Sequence, residues 1–171
     1  MVLAAGAATR FGSPKQRLLL PCVLDRVRAS VVDDVIVVLG AHDVDTDARA
    51  VRAQDWEEGP GASLRAGLGA LAPEIQAAVV VLADGPNLSP AAIDRIVEAW
   101  RADGSPVLAA SYGGVRGHPV LLAREVWETV PDEGARALEP QLVACDDLGA
   151  PGDVDTADDL RAGRFDAPPA E

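Results

Sequence analysis

The chain has 171 residues, a length that a single domain fills, and 49% of them are apolar against 25% charged, the balance of a globular protein rather than a disordered or fibrous one. Fifteen Lys plus Arg face 27 Asp plus Glu, and a formal charge of −12 repels phosphate backbones and anionic lipid, which excludes non-specific binding to nucleic acid or a membrane surface. The longest unbroken apolar run, residues 77–83, is far short of the ~20 residues of a membrane span, and the start lacks a basic region followed by a long apolar one, so a soluble cytoplasmic protein is expected.

In chain order, residues 2–5 read as a strand, apolar at consecutive positions as in a sheet buried on both faces. A small-residue segment with two glycines follows. Leu18-Leu19-Leu20-Pro21 then passes abruptly into a helical pattern, Leu24-Val27-Val31. Residues 35–39 give a second strand, whereas residues 41–56 are polar and carry no defined element. Such compressed or shapeless connections are uncommon in an α/β domain and suggest that loop residues are missing or disordered there.

Leu64-Leu68-Leu71 predicts a helix, residues 78–83 a third buried strand, and Ile93-Ile96-Val97-Trp100 a helix over residues 91–102. That last helix has Ser89 as its N-cap, Pro90 at its first position and Gly104 as its stop. Residues 107–110 and 141–145 are weaker strands, and residues 120–122 read as a short edge piece. Alternation of strand and helix is the pattern of βαβ units. The expected fold is a three-layer α/β/α Rossmann-like domain with a mostly parallel sheet, one domain over residues 1–163 followed by a flexible tail, 164–171. Cys22 and Cys145 are too few for a disulfide framework and read as buried, inert thiols.

Three segments carry residues suited to chemistry. After the first strand come Leu3-Ala4-Ala5-Gly6, then Arg10, Gly12 and Lys15. Small residues let backbone amides approach a phosphate, and Arg10 and Lys15 supply charge; the pattern is neither a Walker A loop nor a dinucleotide fingerprint, and an ordinary glycine turn is an equal reading. Asp84 ends a buried strand, where ligands of open α/β sheets gather, and is equally an Asp-Gly turn residue. Asp155, in Asp153-Val154-Asp155-Thr156, precedes a helical stretch and could join Asp84 in an oxygen-ligand site for a hard divalent ion. Asp43, Asp45 and Asp47 imitate the start of a calcium loop, but Ala48 and Gln54 replace its glycine and glutamate, so calcium is not expected there.

Together these segments resemble the MobA-like nucleotidyltransferases, most closely the molybdenum cofactor cytidylyltransferases. The resemblance rests on Leu3 to Gly6 with Arg10, Gly12 and Lys15, then Trp56, then Gly61-Ala62-Ser63-Leu64-Arg65-Ala66-Gly67. It continues through Leu82-Ala83-Asp84-Gly85-Pro86, Gly117-His118-Pro119, Gly134-Ala135-Arg136 and the acidic motif from Asp153 to Leu160. Gly85 departs from the glutamine usual in that family, and the connections after Pro21 and before Trp56 are shorter than its members'.

The resemblance implies a nucleotide-diphospho-sugar transferase type of fold and transfer of CMP, with GMP as the alternative, from a nucleoside triphosphate to a phosphate-bearing acceptor such as molybdopterin. It implies that Leu3, Ala4, Ala5, Gly6, Arg10, Lys15 and Ser63 bind the nucleotide, with Arg10, Lys15 and Asp84 catalytic. Asp84 and Asp155 would hold Mg²⁺, and His118 would face the acceptor. Trp56 is expected to pack rather than stack. A molybdoenzyme or its chaperone is the implied downstream partner. CTP is expected over GTP, because guanylyl-transferring relatives usually carry glycine at the position of Ala5. The alternatives are a methylerythritol-phosphate cytidylyltransferase, whose opening shares Pro14-Lys15-Gln16, a non-catalytic nucleotide-binding domain, and an oxidoreductase on a repurposed fold.

Overall fold

Valine, isoleucine and leucine follow one another in the strands without alternating with polar residues because both faces of the sheet are covered. The computed structural model describes residues 1–6 and 16–152. Its strands are β1 (Val2–Ala4), β2 (Ile36–Leu39), β3 (Arg49–Arg52), β4 (Ala77–Leu82), β5 (Val107–Tyr112), β6 (Val115–Ala123) and β7 (Gln141–Ala144). Its helices are α1 (Gln16–Arg28), α2 (Pro60–Gly69) and α3 (Pro90–Asp103). The strands form one seven-stranded sheet in the order β3-β2-β1-β4-β6-β5-β7. Every pairing is parallel except the two that β6 makes, so β6 alone runs against the rest.

Side chains of successive strand residues point to opposite faces. Val37, Leu39, Val79, Val81, Leu108 and Leu121 join one core with Leu20, Val23 and Val27 of α1 and Ile93 and Ile96 of α3. Their strand neighbours Ile36, Val38, Val80, Ala109, Val120 and Leu122 join a second core with Leu64 and Leu68 of α2 and with Trp127. The result is the expected three-layer α/β/α domain with a mostly parallel sheet. Each fully buried Leu, Ile or Val contributes about 1.5–3 kcal/mol of transfer free energy. The helix α3 starts after Ser89 in extended conformation, with Pro90 at its first position, and ends where Gly104 adopts φ +68 and donates its N–H to the Trp100 carbonyl at 2.8 Å.

Four local expectations change. Residues 120–122 are not an edge piece but the buried half of β6, nine residues long and central between β4 and β5. Only that half reads as apolar; Arg116, Gly117 and His118 are half-buried and Val115 is exposed, because that end of the strand borders a cleft. Pro119 is tolerated inside a central strand because the β5–β6 ladder breaks there: Ala109 pairs Val120, then Ser111 pairs Arg116.

The polar stretch 41–56 contains β3, an exposed edge strand whose arginines leave no apolar pattern to read and protect the edge from pairing with another chain. Leu18 to Pro21 belong to α1 itself, with Pro21 inside the helix and exposed, while Val31 lies beyond its end. Leu71 lies beyond the end of α2. Cys22 and Cys145 are both buried and free. The tail expected at 164–171 falls outside the described residues.

Candidate functional site

The chain leaves β1 for β2 on one side of it, and β4 lies on the other, so the strand order reverses between β1 and β4. In an open α/β sheet that reversal opens a crevice at the carboxyl ends of the strands. Leu3 pairs Leu82 across it, and the Ala83 N–H donates to the Leu3 carbonyl at 3.0 Å. Leu3, Ala4, Ala5 and Gly6 are therefore brought beside Asp84, from two strands 80 residues apart in sequence. On the far side of β1 the Ala41 N–H donates to the Ala5 carbonyl at 3.2 Å. A Cβ on Gly40 would lie 2.8 Å from the Ala5 methyl and 2.8 Å from the Trp56 Cβ, so Ala5 is packed onto Gly40, and Gly40 onto Trp56. Trp56 is part-buried against the second core.

A cleft opens on the other side of β4. The antiparallel ladder of β4 with β6 runs from Ala77↔Ala123 to Val80↔Val120 and goes no further. Val81 and Leu82 then stand on one wall, Gly117 and His118 on the other. The space between has a volume of about 510 Å³, and its lining includes Asp84, Tyr112, Arg116 and His118. Tyr112 and Val115, which also line it, flank the tight turn of Gly113 and Gly114, at φ +61 and +76, that joins β5 to β6.

Three polar side chains shape this wall. The Tyr112 hydroxyl donates to the His118 carbonyl at 2.9 Å, and its ring lies so close to Gly117 that a Cβ there would sit 3.0 Å from two ring carbons. Burial pushes the Tyr112 phenol up to about 12, so it stays a donor at neutral pH. Arg116 donates to the carbonyls of Ala135 at 2.7 Å, Leu138 at 2.7 Å and Arg136 at 3.2 Å, tying β6 to the turn over Gly134–Ala137. Burial holds the His118 imidazole below its ordinary pKa; Asp84 opposes that shift and Arg116 adds to it. His118 is neutral at pH 7.

A short strap closes the cleft from below. Beyond β7, the Asp146 carboxylate accepts the Gly113 N–H. Arg95 of α3 grips both oxygens of Asp147 at 2.7 and 2.9 Å and the Ala144 carbonyl at 2.8 Å, and this guanidinium holds the Asp147 carboxyl down to about 2. The Pro151 carbonyl then accepts the Asn87 N–H at 2.9 Å. Pro151 rests on Gly85, where a Cβ would meet the proline Cβ at 3.0 Å.

Ser63 lies elsewhere, in the first turns of α2, 4% exposed and with no hydrogen-bond partner for its hydroxyl among the described residues. The start of that helix is pinned by the Gly61 N–H donating to the Asp132 carbonyl at 2.9 Å. The fold therefore unites Leu3, Ala4, Ala5 and Gly6 with Asp84 at the crevice, and Asp84 with His118 around the cleft; Ser63 does not line it. Arg10, Lys15 and Asp155 lie outside the described residues. Tyr112, Arg116 and Pro151 were not expected from sequence; the Gly113-Gly114 pair between Tyr112 and Val115 is a hairpin signal that points to the first two.

Among the described residues, no three His, Cys, Asp or Glu side chains cluster as a metal cage. Mg²⁺ needs none, since it is ordinarily held by one or two carboxylates together with substrate phosphates and water. Asp84, a hard oxygen donor beside the amides of the β1 turn, suits that role.

Comparison with known proteins agrees with this arrangement. The MobA-like NTP transferase domain family matches residues 1–143. A 2-C-methyl-D-erythritol 4-phosphate cytidylyltransferase of Stenotrophomonas maltophilia (strain K279a) is 34% identical over 178 positions, covering 83% of this chain and 69% of its own length. Those positions outnumber the residues this chain contributes, so the relative carries residues within the aligned region that this chain lacks. A probable molybdenum cofactor guanylyltransferase of Chloroflexus aggregans is 31% identical over 120 residues, covering 66% of this chain and 57% of that protein. The crystal structure of Rv0371c from Mycobacterium tuberculosis H37Rv superposes with a TM-score of 0.75 at 31% identity, over 94% of both chains. Its complex with manganese superposes at 0.70, with 29% identity and again 94% of both chains. A glycine-bearing turn after β1 and a strand-end aspartate where the strand order reverses in a mostly parallel sheet, together with the family match along most of its length, place this chain among the nucleotidyltransferases of the MobA-like NTP transferase family.

Proposed function

We propose that this domain, spanning residues 1–163, transfers a CMP moiety from CTP to the phosphate of a small-molecule acceptor, molybdopterin before others, and releases pyrophosphate. The observation that carries the reading is Asp84, at the carboxyl end of β4, between the Leu3 to Gly6 turn and the cleft bounded by His118. The nucleotide lies over the β1 turn, with backbone amides near Gly6 binding its phosphates and the charges of Arg10 and Lys15 neutralising them. Ser63 offers its hydroxyl, which has no hydrogen-bond partner among the described residues, and the amides of a helix start to the base or ribose.

An acceptor phosphate oxygen attacks the α-phosphorus in line; its new P–O bond forms as the bond from that phosphorus to the β-phosphate oxygen breaks, and pyrophosphate departs. No protein nucleophile is needed, because positioning and charge neutralisation supply most of the rate. Asp84, with Asp155, would hold a Mg²⁺ ion whose charge offsets that of the triphosphate. The manganese complex of Rv0371c supports a divalent ion in this reading. GTP is the alternative donor, and the guanylyltransferase relative supports it.

A second reading keeps the chemistry and changes the acceptor to 2-C-methyl-D-erythritol 4-phosphate; the cytidylyltransferase relative favours it. One experiment separates these. Pyrophosphate release is measured with each nucleoside triphosphate, with molybdopterin or methylerythritol phosphate, with and without Mg²⁺, for the parent, Asp84→Asn and Lys15→Ala. Turnover with CTP and molybdopterin that both substitutions strongly reduce supports the first reading. Activity in the parent that both substitutions leave intact places the chemistry elsewhere.

A further inference from the structure

We propose that Tyr112 is a positioning residue for the acceptor wall, holding Gly117 and His118 against the cleft where the sheet itself does not hold them. The proposal rests on the reading above only in assigning that wall to the acceptor. Gly117, His118 and Pro119 have no register partner in either neighbouring strand: pairing with β4 stops at Val120, and pairing with β5 jumps from Val120 to Arg116. A strand segment outside the register of both neighbours gains from other contacts that keep one conformation.

Tyr112 supplies two. Its ring covers the Cα face of Gly117, at a distance that leaves no room for a side chain, and its hydroxyl donates to the His118 carbonyl at 2.9 Å. Both flanks of the unpaired segment are fixed independently. Arg116 is clamped to the carbonyls of Ala135 and Leu138, and Val120 is back in both ladders. The base of Tyr112 is also fixed, by pairing with Val115 and by the bond of the adjacent Gly113 N–H to Asp146. Tyr112 thus spans from an anchored hairpin to the one stretch of β6 that the sheet leaves loose. The phenol remains protonated through the neutral range, so the bond is present under all ordinary assay conditions.

The test uses Tyr112→Phe, which keeps the ring and removes the hydroxyl, and Gly117→Ala, which forces the ring outward. Carbethoxylation of His118 by diethyl pyrocarbonate is followed by peptide mass spectrometry, with His42 as the reference in the same chain. Melting temperature and the KM values for CTP and for the acceptor that the parent uses, molybdopterin or methylerythritol phosphate, are measured alongside.

In Tyr112→Phe the His118 modification rate should rise about five-fold relative to His42, the factor that one neutral hydrogen bond of ordinary net strength commands. The acceptor KM should rise by a similar factor while the CTP KM stays unchanged, a split that general loosening of the fold does not produce. If neither variant alters His118 reactivity relative to His42, the proposal is overturned whatever happens to turnover. If His118 becomes reactive while the acceptor KM is unmoved, Tyr112 does hold the wall, and it is the assignment of that wall to the acceptor that fails.

Discussion

The strands on the two sides of β4 are held together differently. From β1 through β2 to β3 the parallel register is unbroken, Val2↔Val37 to Ala4↔Leu39 and Ile36↔Arg49 to Leu39↔Arg52, and apolar side chains on both faces of β1 and β2 are packed into the two cores. Across β6 the register ends early against β4 and skips three residues against β5, and the cleft occupies the gap. Regular pairing leaves no interior space, so on that side a ligand is met only at the strand ends, by turn and amide. Interrupted pairing creates a concave wall, and side-chain contacts such as those of Tyr112 and Arg116 help to hold it. A transferase with two substrates can use both kinds of surface, one for a nucleotide and one for an acceptor.

The sharpest way to break this comparison is at the residue between the two surfaces. Asp84→Asn should lower pyrophosphate release by about 10³-fold, as expected when a carboxylate that would hold the charge-offsetting Mg²⁺ is lost, while the melting temperature moves by no more than about 2 °C. A stability loss as large as the activity loss would make Asp84 a turn residue instead.

A purely structural effect tests the ordered side. A Cβ at Gly61 would fall 2.1 Å from the Pro131 carbonyl, so Gly61→Ala should cost about 1–3 kcal/mol in urea unfolding. Gly69, in the same helix and with open space around it, is the control: Gly69→Ala should be neutral or stabilising by up to about 1 kcal/mol.

Smaller again is the base preference. Ala5→Gly empties the space beside Gly40 and should narrow the ratio of CTP to GTP usage by about ten-fold, read from competition assays, since a hydrophobic site discriminates one methyl only weakly.

The smallest effect concerns pH. The folded pKa of His118 lies below its unfolded value of about 6.5, so the unfolded chain takes up more protons. Its neutral form supports folding fully above that pH, and stability declines as pH falls through 6.5 toward the lower folded value. Asp84 moderates the decline and Arg116 deepens it. Urea midpoints at pH 7.5 and 5.5 should differ less in His118→Gln than in the parent, and an equal difference would show that burial of the imidazole has no such consequence.

Which parts were legible in sequence follows from burial. Residues 35–39 and 78–83 could be read because both sheet faces demand apolar side chains, and α3 because Ser89-Pro90 and Gly104 mark its ends with distinct backbone chemistry. The polar strand β3 and the first half of β6 could not, since one is exposed at an edge and the other borders a cleft, and neither leaves an apolar pattern. Asp84 was visible as a strand-end acid. Its proximity to Leu3 depends on β1 and β4 being neighbours, which no local pattern encodes. Tyr112 resembles any other strand aromatic until the break opposite it is known.

The contact of Pro151 with Gly85 limits how the cleft can be redesigned. With 3.0 Å between the proline Cβ and the place a Cβ would take at position 85, the two residues share one volume. Introducing a longer side chain at 85, such as a glutamine to reach an acceptor, would lift the segment around Pro151 and strain the bond of its carbonyl to the Asn87 N–H. A directed-evolution library that varies position 85 alone would therefore sample mostly displaced backbones. Varying 85 and 151 together, with a small residue allowed at 151, would let the cleft floor be rebuilt as a unit.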